Sequence, residues 1–90
     1  MIKQNKMKKF RAEIDVMPLD ALLDPQGKAV TQAMVNLGLN EITNVRIGKH
    51  IRLFIDADSK KTAEKKADEA CKKLLANEIM EGYSVTVVEA

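Results

Sequence analysis

The chain has 90 residues, enough for one small domain with a modest core and too few for a second. Hydrophobic side chains make up 46% of it and charged ones 31%, a balance that argues against disorder and, at this length, against a complete enzyme. The net charge of +2 comes entirely from Lys3 and Lys6. The remainder carries 13 basic and 13 acidic side chains, so the basic excess of a nucleic-acid binder is missing.

The first six residues, MIKQNK, read as a flexible extension, with Met7 a candidate start and 7–90 a single domain. Neither a secretory signal nor the roughly 20 apolar residues of a membrane span is visible. Cys71 is the only cysteine, which suits a reducing compartment, so a cytoplasmic location is expected.

Residues 8–17, KKFRAEIDVM, alternate strictly, with Phe10, Ala12, Ile14 and Val16 on one side and charged residues on the other. Period two predicts a strand buried on one face. LLDPQGKAV follows at 22–30. Asp24 is a good N-cap and Pro25 suits the first helical position, where no N–H is needed. The pair Gly27 and Lys28 evokes a phosphate loop, but no glycine stands five residues earlier and Ala29 replaces the required Ser or Thr. Glycine this early in a helix costs roughly 1 kcal/mol against alanine, so Gly27 hints at close approach of another backbone. The helix continues with the stripe Val30, Ala33, Met34 and Leu37, and Gly38 stands where a C-terminal cap belongs.

Residues 42–56 predict a hairpin. A three-residue loop of Gly48, Lys49 and His50 pairs Ile47 with Ile51 and Val45 with Leu53, placing every apolar side chain on one face. Residues 59–76 predict a second helix with the stripe Ala63, Ala67, Ala70, Cys71 and Leu74. The acid-first pairs Asp68–Lys72 and Glu69–Lys73 support it. Residues 83–88, YSVTVV, form the last strand.

The order βαββαβ with right-handed crossovers predicts an α+β, ferredoxin-like two-layer sandwich: a four-stranded antiparallel sheet with two helices on one face. The open face would carry Arg11, Glu13, Asp15, Arg52 and Phe54, flanked by Arg46, Thr86 and Val88. Mixed charge with apolar patches suits a protein partner better than a polyanion. A single outward aromatic also argues against RNA recognition by base stacking. His50, the only histidine, reads as a turn-tip side chain without companion ligands, so no metal site is expected. Cys71 lies in an apolar stripe and reads as a buried structural thiol. No catalytic constellation is visible.

LLDPQGKAV at 22–30, NLGL at 36–39, NVRIGKHIRL at 44–53 and KLLAN at 73–77 together resemble the PurS-type small subunit of phosphoribosylformylglycinamidine synthase, in purine biosynthesis. The resemblance runs from Met7 to Glu89. It implies a subunit of an ATP-dependent, glutamine-using C–N ligase complex with no catalytic or cofactor site of its own, ATP and Mg being used by the synthetase subunit. The implied partners are a second copy, as a homodimer or dimer of dimers, the large synthetase and the glutaminase, with no nucleic acid and no membrane. Asp24, Gln26, Gly27, Lys28, Arg46, Gly48 and Lys49 match the family segments and are the expected partner-contact residues. The alternative is a small-molecule-binding regulatory domain of the same topology, with PLDALLDP at 18–25 as a pocket wall.

Overall fold

The computed structural model describes residues 7–90, so the extension expected at 1–6 lies outside the described residues. The element order is β1 (Lys8–Pro18), α1 (Pro25–Asn36), β2 (Lys49–Ala57), α2 (Lys60–Ala70), a π-helical turn (Cys71–Leu75) and β3 (Glu81–Glu89). The strands form one antiparallel sheet in the order β2-β1-β3, with Ile14 opposite Ile51 on one side and Val85 on the other.

The alternation of β1 sets the core. Phe10, Ala12, Ile14 and Val16 are all 2% exposed or less, because β1 is central and α2 covers that face. Ser59 caps α2 by accepting from the Thr62 N–H, and Ala63 and Ala67 press against Phe10, Ala12, Ala57 and Val87. Alanines here let the helix axis approach the sheet closely. At its end the Ala76 N–H reaches back five residues to the Cys71 carbonyl, widening the turn. The wider turn rotates the apolar stripe by one position. Leu75 therefore joins Ile14, Val16 and Cys71, while Leu74, expected in the stripe, is 82% exposed.

Tyr83 ties β3 to α2 by donating its hydroxyl to Asp68 Oδ1 at 2.5 Å. That bond favours the neutral phenol beside a carboxylate and pushes its pKa up to about 12 from 10.0. A raised folded-state value means the contribution to stability is complete below pH 10 and lost as pH climbs through about 12. Tyr83 is the only tyrosine and tryptophan is absent, so tyrosinate absorbance reads this group alone. A midpoint near 12 is expected in the folded protein, moving back toward 10 in Asp68→Asn. A midpoint of 10 with the native chain folded would mean that the bond does not form.

Two expectations about the fold are corrected. The fourth strand does not form: β2 begins at Lys49, and residues 42–48 have no regular structure. His50 is accordingly a strand residue opposite Asp15 and not the tip of a turn. Nor does α1 lie on the sheet. It makes no substantial contact with any strand or with α2, and Gly27 is its only buried residue. The chain is correspondingly elongated, 69 by 26 by 14 Å, with a radius of gyration of 18.2 Å against ~12 Å for a compact domain of this length.

Candidate functional site

Beyond the end of β1, α1 and residues 44–48 form an arm, and its construction accounts for most of the distinctive sequence. Asp24 has extended backbone geometry and is nearly buried. Its Oδ1 accepts from the Gly27 N–H at 3.1 Å, capping α1, while its Oδ2 accepts from the Ile47 N–H at 2.8 Å. One carboxylate thus starts the helix and holds the returning chain. The Ile47 bond, then the Gly27 bond, with the Arg46 charge assisting, keep its pKa below the usual aspartate range despite burial.

Seven residues on, and so on the same helix face, the Thr31 hydroxyl donates to the Gly27 carbonyl at 2.8 Å and accepts from the Val45 N–H at 3.0 Å. Asp24 and Thr31 thereby take the alternate N–H groups of residues 45 and 47, which a sheet neighbour would otherwise use. This is the local reason that 42–47 is not a strand of its own sheet. Between them Arg46 turns to the 18–22 loop, donating to the Leu19 carbonyl at 2.8 Å and the Leu22 carbonyl at 3.2 Å. Its Nε lies 3.9 Å from Asp24 Oδ2.

Both glycines of the motif are explained by contact. A Cβ on Gly27 would collide with the Val45 carbonyl, and one on Gly48 with the Val16 carbonyl and Met17 Sδ. The other backbone that Gly27 was expected to admit belongs to the same chain. Gly38 differs, with φ of +80° and open space around it. It forms the helix stop, the Gly38 N–H bonding to the Val35 carbonyl and the Leu39 N–H to that of Met34.

Of the seven expected contact residues, Asp24, Gly27 and Arg46 build the arm from within, and Gly48 gives it room against β1. Gln26, Lys28 and Lys49 are exposed. The Gly27 amide is committed to Asp24, whose charge faces the helix N-terminus, so this end of α1 offers no phosphate cradle. Thr31 belongs to no motif in the sequence; its spacing of four from Gly27 and seven from Asp24 is the only signal of its place. Open clefts of about 350 and 390 Å³ flank the arm. The first is walled by Pro18, Leu22, Leu23 and Pro25, as the 18–25 segment suggested, together with Met80.

The open sheet face carries a second polar group of residues. Glu13 accepts a hydrogen bond from Arg52 Nε on Oε2 at 2.8 Å, pairs by charge alone with Arg11 Nε at 2.8 Å, and meets His50 Nε2 on Oε1 at 2.6 Å. His50 Nδ1 lies 2.7 Å from Asp15. A carboxylate at each ring nitrogen favours the protonated imidazole, raising its pKa first through Glu13 and then through Asp15, while that of Glu13 is lowered. The period-two reading places all these residues on one face, yet it left His50 in a turn and missed the cluster. Arg46, expected beside them, is in the arm. Among the described residues no three His, Cys, Asp or Glu side chains converge on a metal position, and no helix is long and apolar enough to cross a membrane. Cys71 is a buried free thiol whose pKa is raised by burial and then by Asp68.

Residues 11–89 match the family model PurS, phosphoribosylformylglycinamidine (FGAM) synthase. The chain is 38% identical over 80 residues to phosphoribosylformylglycinamidine synthase subunit PurS of Bacillus subtilis, covering 89% of this chain and 94% of that protein. Among solved structures it is similar to the purS subunit of Thermotoga maritima, with a TM-score of 0.84 and 28% identity over 91% of this chain and 94% of that one. It is equally similar to a chain in the structure of PurLQS from the same organism, with a TM-score of 0.84 and 29% identity over 91% of this chain and all of that one.

Proposed function

Because the chain belongs to the PurS family of phosphoribosylformylglycinamidine synthase, we propose that it is the non-catalytic assembly subunit of that enzyme, acting in the cytoplasm. In this reading it pairs with itself and bridges a glutaminase and a large synthetase. The complex converts formylglycinamide ribonucleotide, glutamine and ATP to formylglycinamidine ribonucleotide. ATP and Mg act on the synthetase. The observation that carries the proposal is the likeness to a chain of the PurLQS structure over nearly the whole length.

The geometry fits such a role. Ammonia released to neutral water is mostly protonated and loses its nucleophilicity, so the site that releases it and the site that uses it must be joined by a sealed assembly. A small chain with little net charge and an arm fixed by hydrogen bonds supplies contact surface for that joint. Asp24, Gly27, Arg46 and Gly48 set the shape of the contact, and the exposed Gln26, Lys28 and Lys49 make it. The clefts beside the arm are open, which favours docking over the enclosure that a small-molecule sensor needs.

The test is reconstitution with the synthetase and glutaminase subunits. Glutamine-dependent amidine formation is expected to require this chain, while the reaction fed with high ammonium proceeds without it. Lys28→Glu with Lys49→Glu is expected to weaken assembly about tenfold or more without unfolding the chain, since both side chains are exposed. An equal glutamine-dependent rate in the absence of the chain would sink the proposal.

A further inference from the structure

A chain that joins two other subunits needs two separate contact surfaces, and the arm supplies one. The sheet offers the second. α2 packs on one face of it, and among the described residues no helix covers the other. Cross-strand pairing lays the side chains of that open face in rows. Phe54, Arg11 and Val88 form one row from β2 through β1 to β3, and Arg52, Glu13 and Thr86 form the next.

Glu13 sits at the centre with its side chain only 20% exposed. Arg11 Nε and Arg52 Nε each lie 2.8 Å from its Oε2, and His50 occupies Oε1. Two guanidinium groups thus share one carboxylate, which leaves a local surplus of positive charge. Both arginines meet Glu13 through Nε, and their Nη groups make no hydrogen bond among the described residues. Beside them Phe54 is 56% exposed. Exposed arginine and aromatic side chains, set around a polar group whose own acceptors are engaged, are typical of the energetically dominant part of a protein interface.

Resting on the reading that the chain is an assembly subunit, we propose that the open sheet face is a second docking surface for a partner subunit. Arg11 and Arg52 grip a carboxylate of that partner, while Phe54 and Val88 take an apolar side chain next to it. The unengaged donors require an acceptor, and a planar carboxylate matches the guanidinium fork. A free phosphate fits less well, because Asp15 and Asp56 on the same face repel a doubly charged anion and Phe54 offers it no contact of use. A second copy fits less well too: face to face about a two-fold through Glu13, arginines would meet arginines.

Arginine footprinting with phenylglyoxal, read by peptide mass, tests the docking in the full-length chain. The chain has three arginines, and Arg46, tied to the Leu19 and Leu22 carbonyls, is the internal reference. Arg11 and Arg52 are expected to react in the isolated chain and to be protected in the complex with the synthetase and glutaminase. Protection in the isolated chain would mean that a second copy covers the face, and would overturn the proposal. Protection of the isolated chain by inorganic phosphate would overturn it in favour of an anion site. Full reactivity in a complex that is active with glutamine would overturn the docking and leave the assembly role intact. Glutamine-dependent activity that needed no such chain would overturn both. Phe54→Ala and Arg52→Gln, both outside the core, are each expected to weaken assembly about tenfold with unchanged circular dichroism. Lys65→Gln removes the same charge from exposed α2 surface and should leave assembly unaltered. Equal affinity in all three variants would also count against the docking.

Discussion

Gly27→Ala is expected to destabilise the arm by about 2–3 kcal/mol, although the same change at an ordinary helix position stabilises by roughly 1 kcal/mol. The sign reverses because of what the new methyl group meets. It would overlap the Val45 carbonyl and stand 2.5 Å from Asp24 Oδ2, the oxygen that holds the Ile47 N–H. Neither neighbour can give way: one is backbone, and the other is fixed by two backbone donors. The 45–47 segment must lift off, releasing its bonds to Thr31 and Asp24 together. Hydrogen exchange at Val45 and Ile47 should accelerate by a factor of ten or more while exchange in β1 holds, and assembly with the partner subunits should weaken. Gly38→Ala is the control. Its cost is about 1 kcal/mol from the positive φ, with nothing for the methyl group to strike. If Gly27→Ala left the chain as stable as before, the close approach of the 45–47 segment would not exist in solution.

Phe10→Ala is expected to remove about 3–5 kcal/mol, a large part of the ~5–15 kcal/mol that holds a small domain together. Phe10 is 2% exposed and packs in a cluster with Ala12, Ala57, Ala63, Ala67 and Val87, flanked by half-buried Leu53, Ile55 and Val85. The alanines have no side-chain atoms beyond Cβ with which to relax into a cavity, so any collapse falls to Leu53, Ile55 and Val85 at its rim. The loss should therefore lie within this range. Phe54 makes the comparison internal to the same sheet. It is 56% exposed on the opposite face, and Phe54→Ala should cost less than about 1 kcal/mol. Urea unfolding followed by circular dichroism measures both. Similar losses for the two variants would contradict the assigned faces of β1 and β2.

How much of this was legible in the sequence depends on the range of the interaction responsible. Strict alternation over 8–17 fixed which face of β1 is buried, since one residue of slip would turn Phe10 and Ile14 to solvent. The Asp-Pro start of α1, the Gly38 stop and the stripe Ala63, Ala67 and Cys71 were likewise readable, being local chemistry at fixed spacings. Leu74 was misread because a π turn adds a residue to the helical period, and nothing in CKKLL announces it.

Composition and periodicity were enough to read an α+β fold of balanced charge, and the motifs pointed to the family. What DPQGKAV and VRIGK do for each other emerges in the fold alone. Seen apart, the first is a helix start and the second half of a hairpin, and alternation alone favours pairing Val45 and Ile47 with Leu53 and Ile51. In the fold, Asp24 and Thr31 take those two N–H groups across separations of 23 and 14 residues, and Gly27 allows the backbones to meet. Periodicity reports which face of an element is apolar. It carries no record of which distant side chain will claim a backbone hydrogen bond, so the arm could not be foreseen even though every residue that builds it was in view.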